Sequence, residues 1–264
     1  MDYEHIRYEA ADGVATVTLD RPSRLNALTY AAYRELEHLT RELPRDESVR
    51  VLVLRGAGRG FCGGGDVEEI IGDLLARDVK DHVRFTRMTG DLVRNLREMP
   101  QPVVAQVHGT AAGAGAVIAL AADLRVLAES ARFAFLFTRV GLTGADMGAA
   151  YLLPRVVGLG RASEILLLGD PVPAAEAHRI GLANRVVPED RLADEVGQLA
   201  RRLAAGPTLA LETTKRLLQR ELDQDLASAL ESEVLAQALL LMGRDHAEFH
   251  AAWREKREPK WTGR

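Results

Sequence analysis

Pro102-Val-Val-Ala-Gln-Val107-His-Gly109-Thr-Ala-Ala-Gly113-Ala-Gly115-Ala116 is the stretch that decides how this chain folds. It follows the Pro100-Gln-Pro102 break, opens on a β-branched run over Val103–Val107 that reads as a buried strand, and passes through small residues into an Ala-rich helix. An earlier stretch has the same design. The strand-like run Val49–Leu54 leads into Gly58-Arg-Gly60-Phe-Cys62-Gly63-Gly64-Gly65, with a polar helical pattern from Asp66 to Glu98. Two strand ends, each leading through small residues into a helix start, can present two backbone N–H groups to one oxygen. The positive end of a helix beginning near Asp66 would add to that field. Taken alone, either glycine run is equally well a tight turn.

Gly58-x-Gly60-x-x-Gly63 satisfies the dinucleotide-binding spacing, but the fingerprint requires a second strand ending in an acid about 20 residues later. The next strand here begins only at Val103, so that reading is rejected. A P-loop is excluded because no Gly-Lys-Ser/Thr follows the glycines.

Outward from these loops, Val14–Leu19 alternates as a strand, Leu124–Leu127 is a further strand, and Thr29–Leu43 carries helical spacing behind a capping threonine. Strands separated by helices imply a largely parallel sheet covered by helices. From Glu189 onward only helical patterns remain, over 189–205, 208–221, 224–242 and 244–256, with Gly206-Pro207 as punctuation. The expected organisation is an α/β core over 1–205 and a helical region over 206–264.

The 264 residues are 47% hydrophobic and 27% charged, with net charge −4. Lys and Arg are dispersed, so no nucleic-acid partner is expected. A single cysteine, Cys62, excludes an intramolecular disulfide and any Cys-x-x-Cys metal site. The N-terminus lacks a basic and apolar leader, and the apolar run Thr110–Ala122 is too short to span a bilayer. A cytoplasmic protein without a membrane partner is expected.

With these motifs in order, the sequence resembles the crotonase (enoyl-CoA hydratase/isomerase) superfamily. The matching residues are Arg21-Pro22, Leu25-Asn26-Ala27-Leu28, Val51–Leu54 with Phe61-Cys62-Gly63-Gly64-Gly65-Asp66, Pro102–Gly115 with Asp123, Ala174–Ala177 with Gly181-Leu182, and Trp253 to Arg257. The resemblance implies a spiral of β-β-α units with a helical C-terminal trimerisation region, assembled as a homotrimer or a dimer of trimers. It implies an acyl-CoA thioester as partner, with coenzyme A entering as part of the substrate and no metal. By position, the N–H groups of Gly65 and Ala114 form the oxyanion hole; Ala114 stands where glycine is usual. Arg24, Ala27, Gly63 and Asp66 match positions around coenzyme A. Trp253 and Lys256 match a C-terminal pair that reaches it across a subunit boundary. For Arg24 and Lys256 the alternative is a solvated charge, and for Trp253 it is core or interface packing.

The chain departs from the family where hydratases carry two glutamates. Those positions read Val117 and Phe137, and neither moves a proton. Phe133-Ala-Phe135-Leu-Phe137 reads as a strand with three phenylalanines on one face, so Phe137 is expected as an apolar pocket wall. One acid remains in Gly141-Leu-Thr-Gly144-Ala-Asp146-Met-Gly148, ahead of a helix over Ala149–Val157. By resemblance, Asp146 stands where isomerases and a dehalogenase branch keep a working aspartate. It is also a natural helix cap, which would hold it as the anion. Double-bond isomerisation with Asp146 as base is the expected activity. A hydratase with a displaced acid, a hydrolase or dehalogenase with Asp146 as nucleophile, and a silent acyl-CoA binder stand beside it. Glu69, with Glu68 and Asp73, falls where the family's acyl pocket is bordered, but acids there are expected to be exposed. His82 is expected to be exposed, His108 to satisfy backbone groups, and Cys62 to be a small buried residue.

Overall fold

Asp12-Gly13 joins β1 (Ile6–Ala11) to β2 (Val14–Leu19) in an antiparallel hairpin with Ala11 opposite Val14. Both turn residues have positive φ, +50° and +79°, as a two-residue turn between twisted strands requires. The structure, a computed structural model, describes residues 3–263 apart from the side chain of Ile71. In chain order β1 and β2 are followed by α1 (Tyr30–Glu42), β3 (Val51–Gly56), α2 (Val79–Glu98), β4 (Val103–Val107), β5 (Thr110–Ala112) and α3 (Ala114–Ala121). Then come β6 (Leu124–Ala128), β7 (Arg132–Ala134), α4 (Ala149–Val157), α5 (Leu159–Leu168), β8 (Val172–Pro173), α6 (Ala174–Arg179), β9 (Arg185–Val187) and α7 (Glu189–Ala204). The chain ends in α8 (Thr208–Arg220), α9 (Leu226–Leu241) and α10 (Arg244–Glu255).

The main sheet has the order β1-β2-β3-β4-β6-β9, and every pairing after the hairpin is parallel. Its central strands β3 and β4 are largely apolar on both faces because both faces are covered, while β1 at the edge is mostly exposed. Leu52, Leu54, Ala105 and Val107 enter the large core with Leu36 and Leu39 of α1 and Leu92 and Leu96 of α2. The alternate residues Val51, Val53, Val104 and Val126 meet Leu192, Val196 and Leu199 of α7 on the other side. A second sheet, β5-β7-β8, stands at the C-terminal end of β4.

Two local expectations are corrected. The helical pattern over 66–98 is interrupted: a π turn covers Val67–Gly72, and α2 starts afresh behind Asp78, whose carboxylate accepts the N–H of Asp81 at 2.9 Å. The strand read through Phe137 ends at Ala134, because β5 and β8 offer no further pairing, and Leu136–Val140 coils into a 3-10 turn. Phe133 and Phe135 stack at 6.3 Å, and both are buried with Phe137.

The C-terminal helices are sparsely buried. Lys215 of α8 is the anchor, 7% exposed; its ammonium donates to Leu96 O at 3.1 Å and Gln101 O at 2.8 Å and meets Asp123 at 2.8 Å. These partners satisfy a charge that burial would otherwise penalise. α9 buries none of its residues and exposes Leu230, Val234, Leu235 and Leu239. Among the described residues no single helix is long and apolar enough to cross a membrane.

Candidate active site

The parallel register of β3 and β4 brings their C-terminal ends to one edge of the sheet, and the two glycine loops meet there. Leu28 N donates to Gly64 O at 2.8 Å, and Asp66 N donates to Leu28 O at 2.9 Å. In such a ladder the residue between the two bonded groups turns its own N–H away. That residue is Gly65, and its N–H has no acceptor among the described residues. Gly64 adopts φ +100°, which a side chain would resist.

In the second loop Gly113 N donates to Ala134 O at 2.8 Å, and Val117 N to Gly113 O at 3.2 Å is the first bond of α3. The N–H groups of Ala114, Gly115 and Ala116 are therefore the orphans of a helix start without a side-chain cap. Cys62 locks the loops together: its N donates to Thr110 O at 3.0 Å and its O accepts from Ala112 N at 2.8 Å. A Cβ on Gly64 would lie 3.1 Å from Ala112 O and 3.7 Å from Gly113 Cα, so the free N–H groups of Gly65 and Ala114 follow loops in direct contact.

Asn26 explains the Leu-Asn-Ala-Leu motif. Its amide donates to Ala57 O and Gly60 O, both at 2.8 Å, and its Oδ1 accepts from Arg21 N at 2.9 Å. The helix expected at Asp66 contributes no free dipole. Only a six-residue π turn follows, and Asp66 Oδ1 takes the N–H groups of Glu68 and Glu69 at 2.9 and 3.0 Å. Arg21 holds the other oxygen at 2.5 Å. The Glu69 N–H, against burial and with help from Arg21, keeps the Asp66 carboxyl below its ordinary range.

Asp146 lies just before α4 but does not cap it by side chain. Gly148, at φ +87°, is the cap position, and Asp146 contributes its carbonyl to Ala149 N at 2.8 Å. Its carboxylate is half-buried and accepts one bond, from Met147 N at 2.9 Å. Burial pushes its pKa up, and that N–H opposes the shift. Met147 itself holds φ +51°, an uncommon conformation for a residue with a side chain.

One residue that sequence reasoning passed over ties Asp146 to the glycine loops. Tyr33 of α1 is 3% exposed, and its hydroxyl lies 3.6 Å from where a Cβ on Gly65 would sit. Burial raises its pKa well above the ordinary value, and the nearby Cys62 and Asp146 raise it further. Phe85 meets its ring edge-on at 5.5 Å, and Tyr30 stacks on Phe85 at 5.9 Å. The available signal was a tyrosine on the mostly aliphatic buried stripe of α1, where a phenol needs a partner for its hydroxyl.

The other expected residues divide into two groups. Ala27 and Glu69 line a cavity of 380 Å³ together with Arg21 and Thr29. Gly63 is fixed to Leu25 O at 2.7 Å, and Arg24 is exposed and paired with Glu68 at 3.3 Å. Val117 is fully buried in α3 and Phe137 is 8% exposed. Glu68, Glu69 and Asp73 are exposed as expected. Trp253 lies on α10, whose main packing is against α9, and Lys256 follows the end of that helix. Trp253 is 69% exposed and so is not core within one chain. His108 does serve the backbone, through Gly58 O at 2.8 Å. His82 is half-buried rather than exposed, held to Leu74 O at 2.7 Å where the chain turns into α2. A larger cavity, 1240 Å³, opens between α2, α4 and α8 and is lined by Arg94, Arg97, Tyr151 and Arg155.

The model of the enoyl-CoA hydratase/isomerase family matches residues 9–264. The 1,2-epoxyphenylacetyl-CoA isomerase of Escherichia coli is 38% identical over 99% of both chains. The trans-2-decenoyl-[acyl-carrier-protein] isomerase of Streptococcus mutans is 30% identical over 100% of both. A crystal structure of a candidate enoyl-CoA hydratase from Streptomyces coelicolor A3(2) superposes with TM-score 0.98 at 60% identity, covering 100% of this chain and 96% of that one. With two glycine loops gathered at the end of a parallel sheet and a family match across nearly its whole length, this chain is an α/β enzyme of crotonase fold and belongs to the enoyl-CoA hydratase/isomerase family.

Proposed function

We propose that this enzyme shifts a carbon–carbon double bond within an acyl-coenzyme A thioester, with Asp146 carrying the proton. Asp146 removes a proton from the carbon beside the thioester carbonyl, and the electron pair moves onto the carbonyl oxygen as a dienolate. The N–H groups of Gly65 and Ala114 hold that oxygen. The pair then returns through the carbon chain, and the same carboxyl gives the proton back two carbons further on. The observation that carries this reading is a half-buried carboxylate with one hydrogen bond among the described residues and a raised pKa, close enough for its charge to act on Tyr33, which itself lies against Gly65. A carboxylate with raised proton affinity is a better base, and the acid it becomes can return the proton. Val117 and Phe137 leave no second acid at the hydratase positions, which favours migration over addition of water.

Arg24, Ala27, Gly63 and Asp66 frame the coenzyme A side of this site in the proposal, with Trp253 and Lys256 supplied by a neighbouring copy. The exposed apolar face of α9 supports assembly as a homotrimer or dimer of trimers, because solvated leucines along a whole helix face mark an interface.

The test is incubation in D2O with cis-3-enoyl-, trans-2-enoyl- and 2,4-dienoyl-CoA, followed by mass spectrometry. Double-bond migration with deuterium uptake is expected, falling by about 10²–10⁴-fold in Asp146→Asn. Activity that survives the substitution overturns the assignment.

A further inference from the structure

We infer that the hydroxyl of Tyr33 donates a hydrogen bond to an oxygen atom carried on the acyl chain, so that this enzyme selects oxygen-bearing acyl thioesters over purely hydrocarbon ones. The inference rests on the acyl-thioester reading of the site. A buried polar hydrogen normally finds an acceptor, and tyrosine hydroxyls within cores follow that rule. Tyr33 is 3% exposed as a residue. Its hydroxyl has no hydrogen bond among the described residues, yet its oxygen is not sealed in the core and still reaches open space. The hydroxyl is aimed at the site, 3.6 Å from the Cβ position of Gly65, with Ile70 as the other close neighbour there at 3.8 Å.

The thioester oxygen already has two donors, the N–H groups of Gly65 and Ala114. Tyr33 also feels the charge of Asp146, so the phenol and that carboxylate are neighbours. Asp146 is not its acceptor: among the described residues that carboxylate accepts only from Met147 N. The phenol stays protonated because burial opposes its ionisation, so it acts as a donor and not as a base. Its ring is fixed by Phe85 edge-on at 5.5 Å and by the Tyr30–Phe85 stack, which holds the hydroxyl in place before any ligand arrives. A hydrocarbon chain against this wall leaves the hydroxyl unpaired; a hydroxyl, ether or carbonyl oxygen on the chain pairs it. Sites built to bond a substrate oxygen reject the analogue that lacks it.

Binding, which does not depend on turnover, tests this. Titration calorimetry compares octanoyl-CoA with eight-carbon thioesters bearing a hydroxyl or oxo group on carbons 3 to 5, for the wild type and Tyr33→Phe. At least one oxygenated thioester is expected to bind about tenfold tighter than octanoyl-CoA, with the preference lost in Tyr33→Phe and octanoyl-CoA affinity kept. No preference in the wild type overturns the inference, as does equal weakening of every thioester in the variant, which would assign the hydroxyl to the thioester oxygen. Failure of the isomerase reading appears separately, as exchange that survives in Asp146→Asn.

Discussion

Gly115→Ala puts one methyl group where the two glycine loops are clamped together. A Cβ at that position would lie 2.5 Å from Cys62 Cβ, 2.7 Å from Cys62 O and 2.9 Å from Cys62 Sγ. Carbon atoms rest at roughly 3.5–4.0 Å, so a gap of about 1 Å must open. The thiol alone cannot make room, because the tightest contacts include Cβ and a backbone oxygen. Nor can the Cys62 backbone swing clear, bonded as it is on both sides to β5 through Thr110 O and Ala112 N. The displacement falls on the start of α3, and Ala114 N–H moves relative to Gly65 N–H.

Overpacking of this kind costs about 1–3 kcal/mol. An ångström of misplacement in a reacting constellation costs about 10²-fold in rate. Urea titration gives the first quantity, and deuterium exchange at the carbon beside the thioester gives the second. Gly90→Ala is the control: it lies inside α2 with nothing within 4 Å of the added methyl, and should gain about 0.5–1 kcal/mol with activity unchanged. A Gly115→Ala enzyme with wild-type stability and exchange would refute the claim that contact between these loops sets the oxyanion site.

Three more outcomes follow from the same geometry. The Asp146 pKa is higher folded than unfolded, so the folded state loses stability as pH rises from the ordinary aspartate range toward the raised value; Asp146→Asn should be more stable than wild type at pH 7, with the difference vanishing at low pH in denaturation curves. The Cys62 thiol, pushed up to about 12 by burial, should resist disulfide reagents in the native protein and react only on unfolding. Asp66→Ala removes the cap over Glu68 and Glu69 and leaves Arg21 only Glu69 and Ala27 O among the described residues, and should cost about 0.5–2 kcal/mol by urea titration and slow the exchange assay through a loosened Gly65.

Much of this fold was legible because its strands are covered on both faces. Val51–Leu54 is apolar throughout and Val103–Val107 but for Gln106, and Thr29 caps α1 through Ala32 N at 3.2 Å as its residue type suggests. What escaped was structure set by distant pairing. β5, β8 and β9 have two or three residues each and exist because a partner strand is waiting, and β7 was read too long for the same reason. β1 was overlooked because it is an edge strand with mostly exposed residues, although Asp12-Gly13 marked its hairpin. In the site, the glycines were plain to read while Tyr33 was not. Its helical spacing matched that of the core, and only its placement against Gly65 distinguishes it from a packing residue.

The replacement of two acids by Val117 and Phe137 changes the behaviour of the acid that remains. A second carboxylate nearby would make the proton affinity of Asp146 depend on its neighbour's charge state, and would bring water with it. Here burial is the main influence on Asp146, opposed by one N–H from Met147. Burial alone raises the affinity of a carboxylate for a proton without fixing that proton in place. Proton migration within one substrate asks for that behaviour, whereas hydration asks for an acid and a base at once. On the proposed isomerase reading, the site lacks the pair needed to divide water and has the single group needed to move a proton between carbons, and the enolate formed in between would rest on the N–H groups that the Cys62 clamp holds together.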